Sequence, residues 1–165
     1  MNMARLLRHL LTPPWRVRLA FPPRTLHAIE AAIRECEKTH AGEIRFAVEN
    51  DLHLFALLRG QSARARALDV FSHLRVWDTQ HNNGVLIYLL LADHDVEIVA
   101  DRGVHAHVGA EGWEKICHDM ETSFRAGKFE DGVLHGIRAV GAHLARHYPA
   151  QGKGRNELDD RPVVL

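Results

Sequence analysis

The sequence predicts an α/β domain, a small mixed β-sheet with helices packed around it. Three observations predict it. Val85-Leu86-Ile87-Tyr88-Leu89-Leu90-Leu91-Ala92 is apolar without a break, the mark of a central strand buried on both faces. The short polar turn Asp93-His94-Asp95 joins it to a second strand, Val96 to Ala100, which makes an antiparallel hairpin. The flanking segments repeat their apolar residues at helical spacing instead.

The elements follow in order. Arg5 to Leu11 has a helical pattern, and Pro13-Pro14 ends it, since proline lacks the amide donor and fixes φ. Trp15-Arg16-Val17-Arg18-Leu19 alternates apolar and basic residues, which predicts an edge strand or extended arm. Trp15, Val17, Leu19 and Phe21 are then expected to pack onto the core. After Pro22-Pro23 a helix carries Leu26, Ile29, Ile33 and Cys36 on one stripe, with Thr25 as its N-cap. Ile44, Phe46 and Val48 alternate with Arg45 and Glu49 as a first strand.

Asp51 to Leu74 reads as helix broken near Gly60-Gln61, with Ser62 capping the second piece. This long helical link predicts that the first and central strands run parallel. Two helices close the domain. One has a stripe of Trp113, Ile116, Cys117, Met120 and Phe124, the other of Val133, Ile137, Val140 and Leu144. Gly127 and Gly132 bracket the break between them, and Pro149 stops the second. The chain therefore divides into a basic arm (1–24), an α/β domain (25–150) and a tail (151–165). The tail is polar until Val163-Val164-Leu165 and is expected to be loose unless that end docks.

At 165 residues and 18.7 kDa, with 46% hydrophobic and 25% charged residues, the chain fits one globular domain with short extensions. Lys+Arg and Asp+Glu both number 21, so no basic excess points to nucleic acid. The charge is unevenly placed. Residues 1–24 hold Arg5, Arg8, Arg16, Arg18 and Arg24 and no acid, leaving 16 basic and 21 acidic residues in the remainder. Such an arm suits an anionic lipid surface, a protein partner or the acidic face of its own domain. Its apolar runs are too short for a secretion signal, and no run is long enough for a membrane-spanning helix. The expected location is cytoplasmic, with the arm as a route to the inner-membrane surface.

With parallel first and central strands and a returning third, three polar stretches meet at one end of the sheet: Gly42-Glu43, Asp78 to Gly84, and Asp101-Arg102-Gly103. A hairpin centred on His94 sets Asp101 opposite Ile87, leaving Asn83 roughly 13 Å further along at about 3.3 Å per residue. Contact then needs the chain after Asp101 to extend or the preceding loop to fold back. On that condition Glu43, Asp78 and Asp101 form a candidate carboxylate cluster with the Asn82 and Asn83 amides nearby. Ca²⁺ or Mg²⁺ takes such oxygen donors, and crowded carboxylates need a cation or a proton. The alternatives are ordinary: Asp101 pairs with Arg102 or Arg45, Asp78 caps a turn, and Asn82-Asn83-Gly84 is a turn without a ligand. The opposite end competes through Glu49, Asn50, Asp51, Asp93 and Asp95, and ligands favour the carboxyl ends of parallel strands. Its acids sit in turns, where solvated acids are common, so it ranks second.

Other chemistry finds little support. The thirteen histidines include His105 and His107, and His143 and His147, but Leu144 stands where a zinc-protease motif needs glutamate; incidental surface roles are expected. Cys36 and Cys117 lie on apolar stripes as inert thiols. Ser62, Ser72 and Ser123 have no nucleophile-elbow setting, and Gly103 and Gly109 form no phosphate loop.

Five stretches together resemble the TPM domain family over residues 25–150. They are Gly42-Glu43-Ile44-Arg45-Phe46; Arg64 to Phe71 and on to Trp77; Asn82-Asn83-Gly84-Val85-Leu86-Ile87-Tyr88; Ile98-Val99-Ala100-Asp101-Arg102-Gly103-Val104; and, after Trp113, Phe124-Arg125-Ala126-Gly127-Lys128-Phe129. The resemblance implies an α/β/α sandwich of the kind found in bacterial envelopes and thylakoids. It also implies a link to divalent cations and to a suggested phosphatase activity. Many such relatives carry a signal peptide and an anchor; this sequence has neither pattern and resembles a short cytoplasmic branch. The matching motifs contain Glu43 and Asp101, while Asp78 falls in a loop of variable type. Two functions follow. One is a cation-binding accessory or interaction domain, serving membrane-protein maintenance, with Glu43, Asp78 and Asp101 as ligands. The other is a metal-assisted phosphatase in which an acid positions water and Arg102 holds the phosphate.

Overall fold

In the computed structural model, residues 3–150 and 156–165 are described. Its helices are α1 (Met3–Leu11), α2 (Arg16–Ala20), α3 (Pro23–Cys36), α4 (Leu54–Leu58), α5 (Ala63–His73), α6 (Arg102–Arg125) and α7 (Phe129–His147). Its strands are β1 (Glu43–Glu49), β2 (Gly84–Leu90), β3 (Asp95–Ala100) and β4 (Val163–Val164). The sheet order is β3-β2-β1-β4. β1 lies parallel to β2 and to β4, and β2 lies antiparallel to β3. The α/β class, the parallel crossover and the hairpin are all present.

Alternation along the strands builds a core on each side of the sheet. Ile44, Phe46 and Val48 with Val85, Ile87 and Leu89 face α3, α6 and α7, where Ile33, Met120 and Val140 complete the larger core. Ala47, Leu86, Tyr88 and Leu90 face the other way, onto Leu57, Ala67 and Val70 of α4 and α5. Every residue of β2 is buried, as its unbroken apolar run requires. The helix break at Gly60 takes φ +72°, and Ser62 Oγ accepts from Ala65 N, so α5 begins on a side-chain cap.

Four local expectations need correction, on the conformation of Trp15 to Leu19, on the packing of Trp15 and Leu19, on Thr25 and on the hairpin, while α6 and the tail add features the sequence left open. Trp15 to Leu19 forms the short helix α2, not an extended arm. Helical spacing buries Val17, and Phe21 just beyond the helix is buried too, while Trp15 and Leu19 are exposed. Thr25 does not cap α3, which starts on Pro22 and Pro23; its hydroxyl donates to Glu130 Oε2 instead. α6 is interrupted at Gly109, whose φ of +72° departs from the helix and lies where glycine meets no Cβ penalty. The end of the tail docks as β4, extending the sheet beyond β1, with Leu165 N donating to Val48 O at 2.9 Å.

The hairpin register carries the fourth correction. Leu90 pairs with Asp95 and Val85 with Ala100, so the turn sits earlier than a centre at His94. Asp101 therefore lies opposite Gly84, its amide donating to Gly84 O at 2.9 Å, not opposite Ile87. A shift by an odd number of residues also exchanges the faces of the whole strand. The longer turn keeps Val96 and Ile98 in the larger core and brings the end of β3 level with the start of β2.

Candidate functional site

Glu43, Gly84 and Asp101 stand side by side at the end of the sheet where β1 and β2 begin. Gly84 cannot be another residue without movement, since a Cβ there would lie 2.0 Å from Val76 O. The Val76 peptide thus covers the position between the two carboxylates. Asn83, fully buried, donates from Nδ2 to Ala41 O at 2.8 Å, and its amide donates to Thr79 Oγ1. Asn82 takes φ +51°, a left-handed conformation that asparagine tolerates.

Asp101 caps α6: Oδ1 accepts from Arg102 N at 2.6 Å. Its other oxygen, Oδ2, is buried without a hydrogen-bond partner among the described residues, and so is Asn83 Oδ1. Buried acceptors left unpaired are costly, and charged ones more so. Around the first turn of α6, the carbonyls of His81 and Asn82 and the Tyr148 hydroxyl close on Gly103, at 3.1, 2.6 and 2.7 Å from where its Cβ would be. Tyr148 feels the Asp101 charge: burial, and then that carboxylate, push its phenol pKa up. This end of the sheet is thus rich in oxygen.

The six residues singled out from sequence fare differently. Asp101, Asn83 and Asn82 meet around the start of β2 and α6. Glu43 shares the sheet end, but its carboxylate holds the tail, with Oε1 accepting from Glu157 N and Oε2 from Leu158 N, both at 3.2 Å. Asp78 and Arg102 are exposed. Among the described residues no three His, Cys, Asp or Glu side chains form a group arranged to hold a metal ion.

The tail seat is itself acidic. Glu37 Oε1 accepts from Ile44 N at 2.9 Å, and burial, with Glu43 and Asp160 near, pushes its pKa up to about 9. Burial also raises Glu43. Arg45 lies buried among Asp159, Asp160 and Glu37, and burial lowers its pKa. Arg34 Nε reaches Asp160 Oδ2 at 3.4 Å. Sequence reading missed Glu37 and Tyr148, since neither sits in a motif and only the folded chain carries them to the strand ends.

The opposite end of the sheet carries the same residue types with their charges matched. Glu49 receives both Nε and Nη2 of Arg66, at 2.8 and 3.0 Å, and the Tyr88 hydroxyl at 2.7 Å. Asp93 receives Arg5 Nε at 2.8 Å and Arg8 Nη2 at 2.6 Å, and His9 Nε2 lies 3.1 Å away. Burial opposes the Asp93 charge, but the Arg5 and His9 bonds hold its pKa below the ordinary value. Asp51 accepts from Asn50 Nδ2 at 2.6 Å, while Asn50 Oδ1 has no hydrogen-bond partner among the described residues. Asp95 lies apart from these pairs, pushed up to about 6 by burial and by Glu97 and Glu121.

Two further expectations meet the structure. His9 and His40 are buried, not on the surface; His9 Nδ1 accepts from Leu52 N at 3.0 Å, which anchors α1. The ring of His107 stacks on His147 at 4.6 Å, a pairing no sequence spacing announces. Burial pushes the Cys117 thiol pKa up to about 12, which disfavours the thiolate.

The fold and this sheet end define a class: an α/β/α sandwich with a mixed sheet whose polar loops gather where its first strands begin. The family model of the TPM domain matches residues 20–143, and the chain belongs to that family. Among solved structures it is similar to the BA42 protein of the psychrophilic bacterium Bizionia argentinensis, with 30% identity and a TM-score of 0.75, over 86% of this chain and 93% of that one. The N-terminal domain of a P. gingivalis protein shares the fold at 20% identity and a TM-score of 0.63, over 78% and 81% of the two chains. No curated protein matches the sequence.

Proposed function

We propose that this TPM domain is a divalent-cation-binding accessory or interaction domain, serving membrane-protein maintenance, with its cation site at the end of the sheet where β1 and β2 begin. The observation that carries the reading is the Asp101 carboxylate, 7% exposed, with Oδ2 unpartnered among the described residues. Ca²⁺ and Mg²⁺ are the natural occupants, being hard cations that take carboxylate, amide and main-chain oxygens. Asp101 supplies the charge. The remaining donors come from Asn83 Oδ1 and the His81 and Asn82 carbonyls, with Glu43 and Asp78 at the margin. A bound cation lowers the cost of the buried Asp101 charge and stiffens the polar turn before β2. The cation is structural in this reading, and the surface it orders is what a partner meets.

Calorimetric titration of the full chain with Ca²⁺ and with Mg²⁺ tests this. A single-site heat that Asp101→Asn abolishes is expected, since asparagine keeps the cap acceptor on α6 and removes only the charge. Heats unchanged by that substitution reject the site. The phosphatase alternative would place Arg102, exposed beside Asp101, against the phosphate. Phosphomonoester turnover that needs both the cation and Asp101 would favour it.

A further inference from the structure

Helix α1 faces its apolar side outward. Met3, Leu7, Leu10 and Leu11 recur at helical spacing and occupy about a 100° stripe. All four are exposed, Leu11 at 76%. The side turned to the domain carries Arg5 and His9, which close on Asp93 with Arg8 reaching in from the edge, and a single leucine, Leu6, packed against the smaller core; His9 also takes the Leu52 amide. Burial of apolar surface normally sets a helix the other way. Beyond Pro13-Pro14, α2 repeats the pattern, with Trp15 62% and Leu19 73% exposed while Val17 is buried. α4, which packs against α1, adds exposed Leu54, Phe55 and Leu58. An apolar display of this extent marks a binding surface.

The charge around it selects the occupant. Residues 1–24 hold five arginines and no acid. Arg18, Arg24 and Arg59 are exposed. A symmetric contact between two copies would press this basic segment against itself. An anionic bilayer matches both features, since it takes apolar side chains at the headgroup–acyl boundary and arginine at the phosphates. A helix this short binds lipid weakly when it must fold at the surface. Here the Asp93 clasp holds it folded beforehand, which removes that ordering cost.

We propose that the α1–α2 face docks the domain onto an anionic lipid bilayer, with Leu7, Leu10, Leu11, Trp15 and Leu19 entering the interface and Arg18 and Arg24 at the headgroups. The surface is separate from the cation site, and the proposal stands without it.

The test is co-sedimentation of the full chain with vesicles of phosphatidylcholine alone and with about one-third phosphatidylglycerol. Binding to the anionic vesicles is expected to weaken about tenfold or more in Leu7→Gln/Leu10→Gln/Leu11→Gln. In Arg18→Gln/Arg24→Gln it is expected to weaken and lose salt dependence. In a Trp77→Phe chain, whose other tryptophan, Trp113, is buried, brominated lipid is expected to quench the Trp15 share of the emission, a readout that holds even if the leucine variant fails to fold. Absence of anionic-vesicle binding, full binding by a folded leucine variant, or an unquenched Trp15 would each overturn the proposal. So would a concentration-dependent dimer abolished by the leucine changes and indifferent to vesicles, because a second copy would then cover the face.

Discussion

At the end of the sheet where β1 and β2 finish, Glu49 is gripped by Arg66 and Tyr88, and Asp93 by Arg5, Arg8 and His9. Where those strands begin, Asp101 and Asn83 each leave a buried oxygen unpaired among the described residues, and Glu43 accepts from the main-chain amides of Glu157 and Leu158. The residue types are alike; the placement of arginine is not, since Arg34 and Arg45 at the second end face the tail's Asp159 and Asp160 and not Asp101. α5 brings Arg66 and α1 brings Arg5 and Arg8 to the first end, which turns its acids into fastenings for those helices. Asp101 is left as a charge that an external cation can answer. Parallel sheets ordinarily bind ligands beyond their carboxyl ends, but here that end is occupied by the chain's own N-terminal helix.

Breaking the matched end gives the largest expected effect. Glu49→Ala strands Arg66 and the Tyr88 hydroxyl and is expected to cost about 2–3 kcal/mol, read from urea unfolding. A loss under half of that would mean the pairing is worth no more than a surface contact.

Asp93→Asn comes next. It loosens α1 at an expected cost of about 1–2 kcal/mol. The native Asp93 pKa is depressed below the ordinary 3.8. Its contribution is therefore complete above that value and is lost as pH falls through the native one. Acid unfolding of the wild type and Asp93→Asn is expected to converge at low pH, and faster amide exchange in 3–11 at neutral pH checks the local effect.

The smallest effect sharpens the other end. Glu37 is raised from 4.5 to about 9, so the native chain keeps a proton that the unfolded chain loses within that window. Stability from this group is complete below the unfolded value and is lost as pH rises through the native one. Glu37→Gln keeps an acceptor for Ile44 N and is expected to flatten this slope, with a gain of about 1 kcal/mol at pH near 9. Parallel slopes for the two chains in urea unfolding would show that Glu37 is charged in the native protein.

Much of this was legible in the residues. Continuous apolarity from Val85 to Ala92 names the central strand, and the stripes ending in Phe124 and Leu144 name the closing helices. Strand direction sends Asn82, Asn83 and Asp101 toward one sheet end, but the expected register, with Asp101 opposite Ile87, makes their meeting conditional on the loops. What misled was local pattern: alternation in Trp15 to Leu19 resembles a strand, yet five residues behind two prolines satisfy a helical turn equally well. The hairpin centre is equally open, because nothing in Asp93-His94-Asp95 fixes which residues of a turn leave the ladder.

The sequence by itself determined the main elements, their direction and the basic character of the arm, since these follow from periodicity and charge along one chain. Tertiary structure alone decided which acids meet an arginine, that Glu43 is taken by residues 157 and 158, and that α1 turns Leu7, Leu10 and Leu11 outward. Those outcomes depend on groups far apart in sequence, such as Arg5 and Asp93, or Glu43 and Leu158, and no short-range pattern encodes such a meeting.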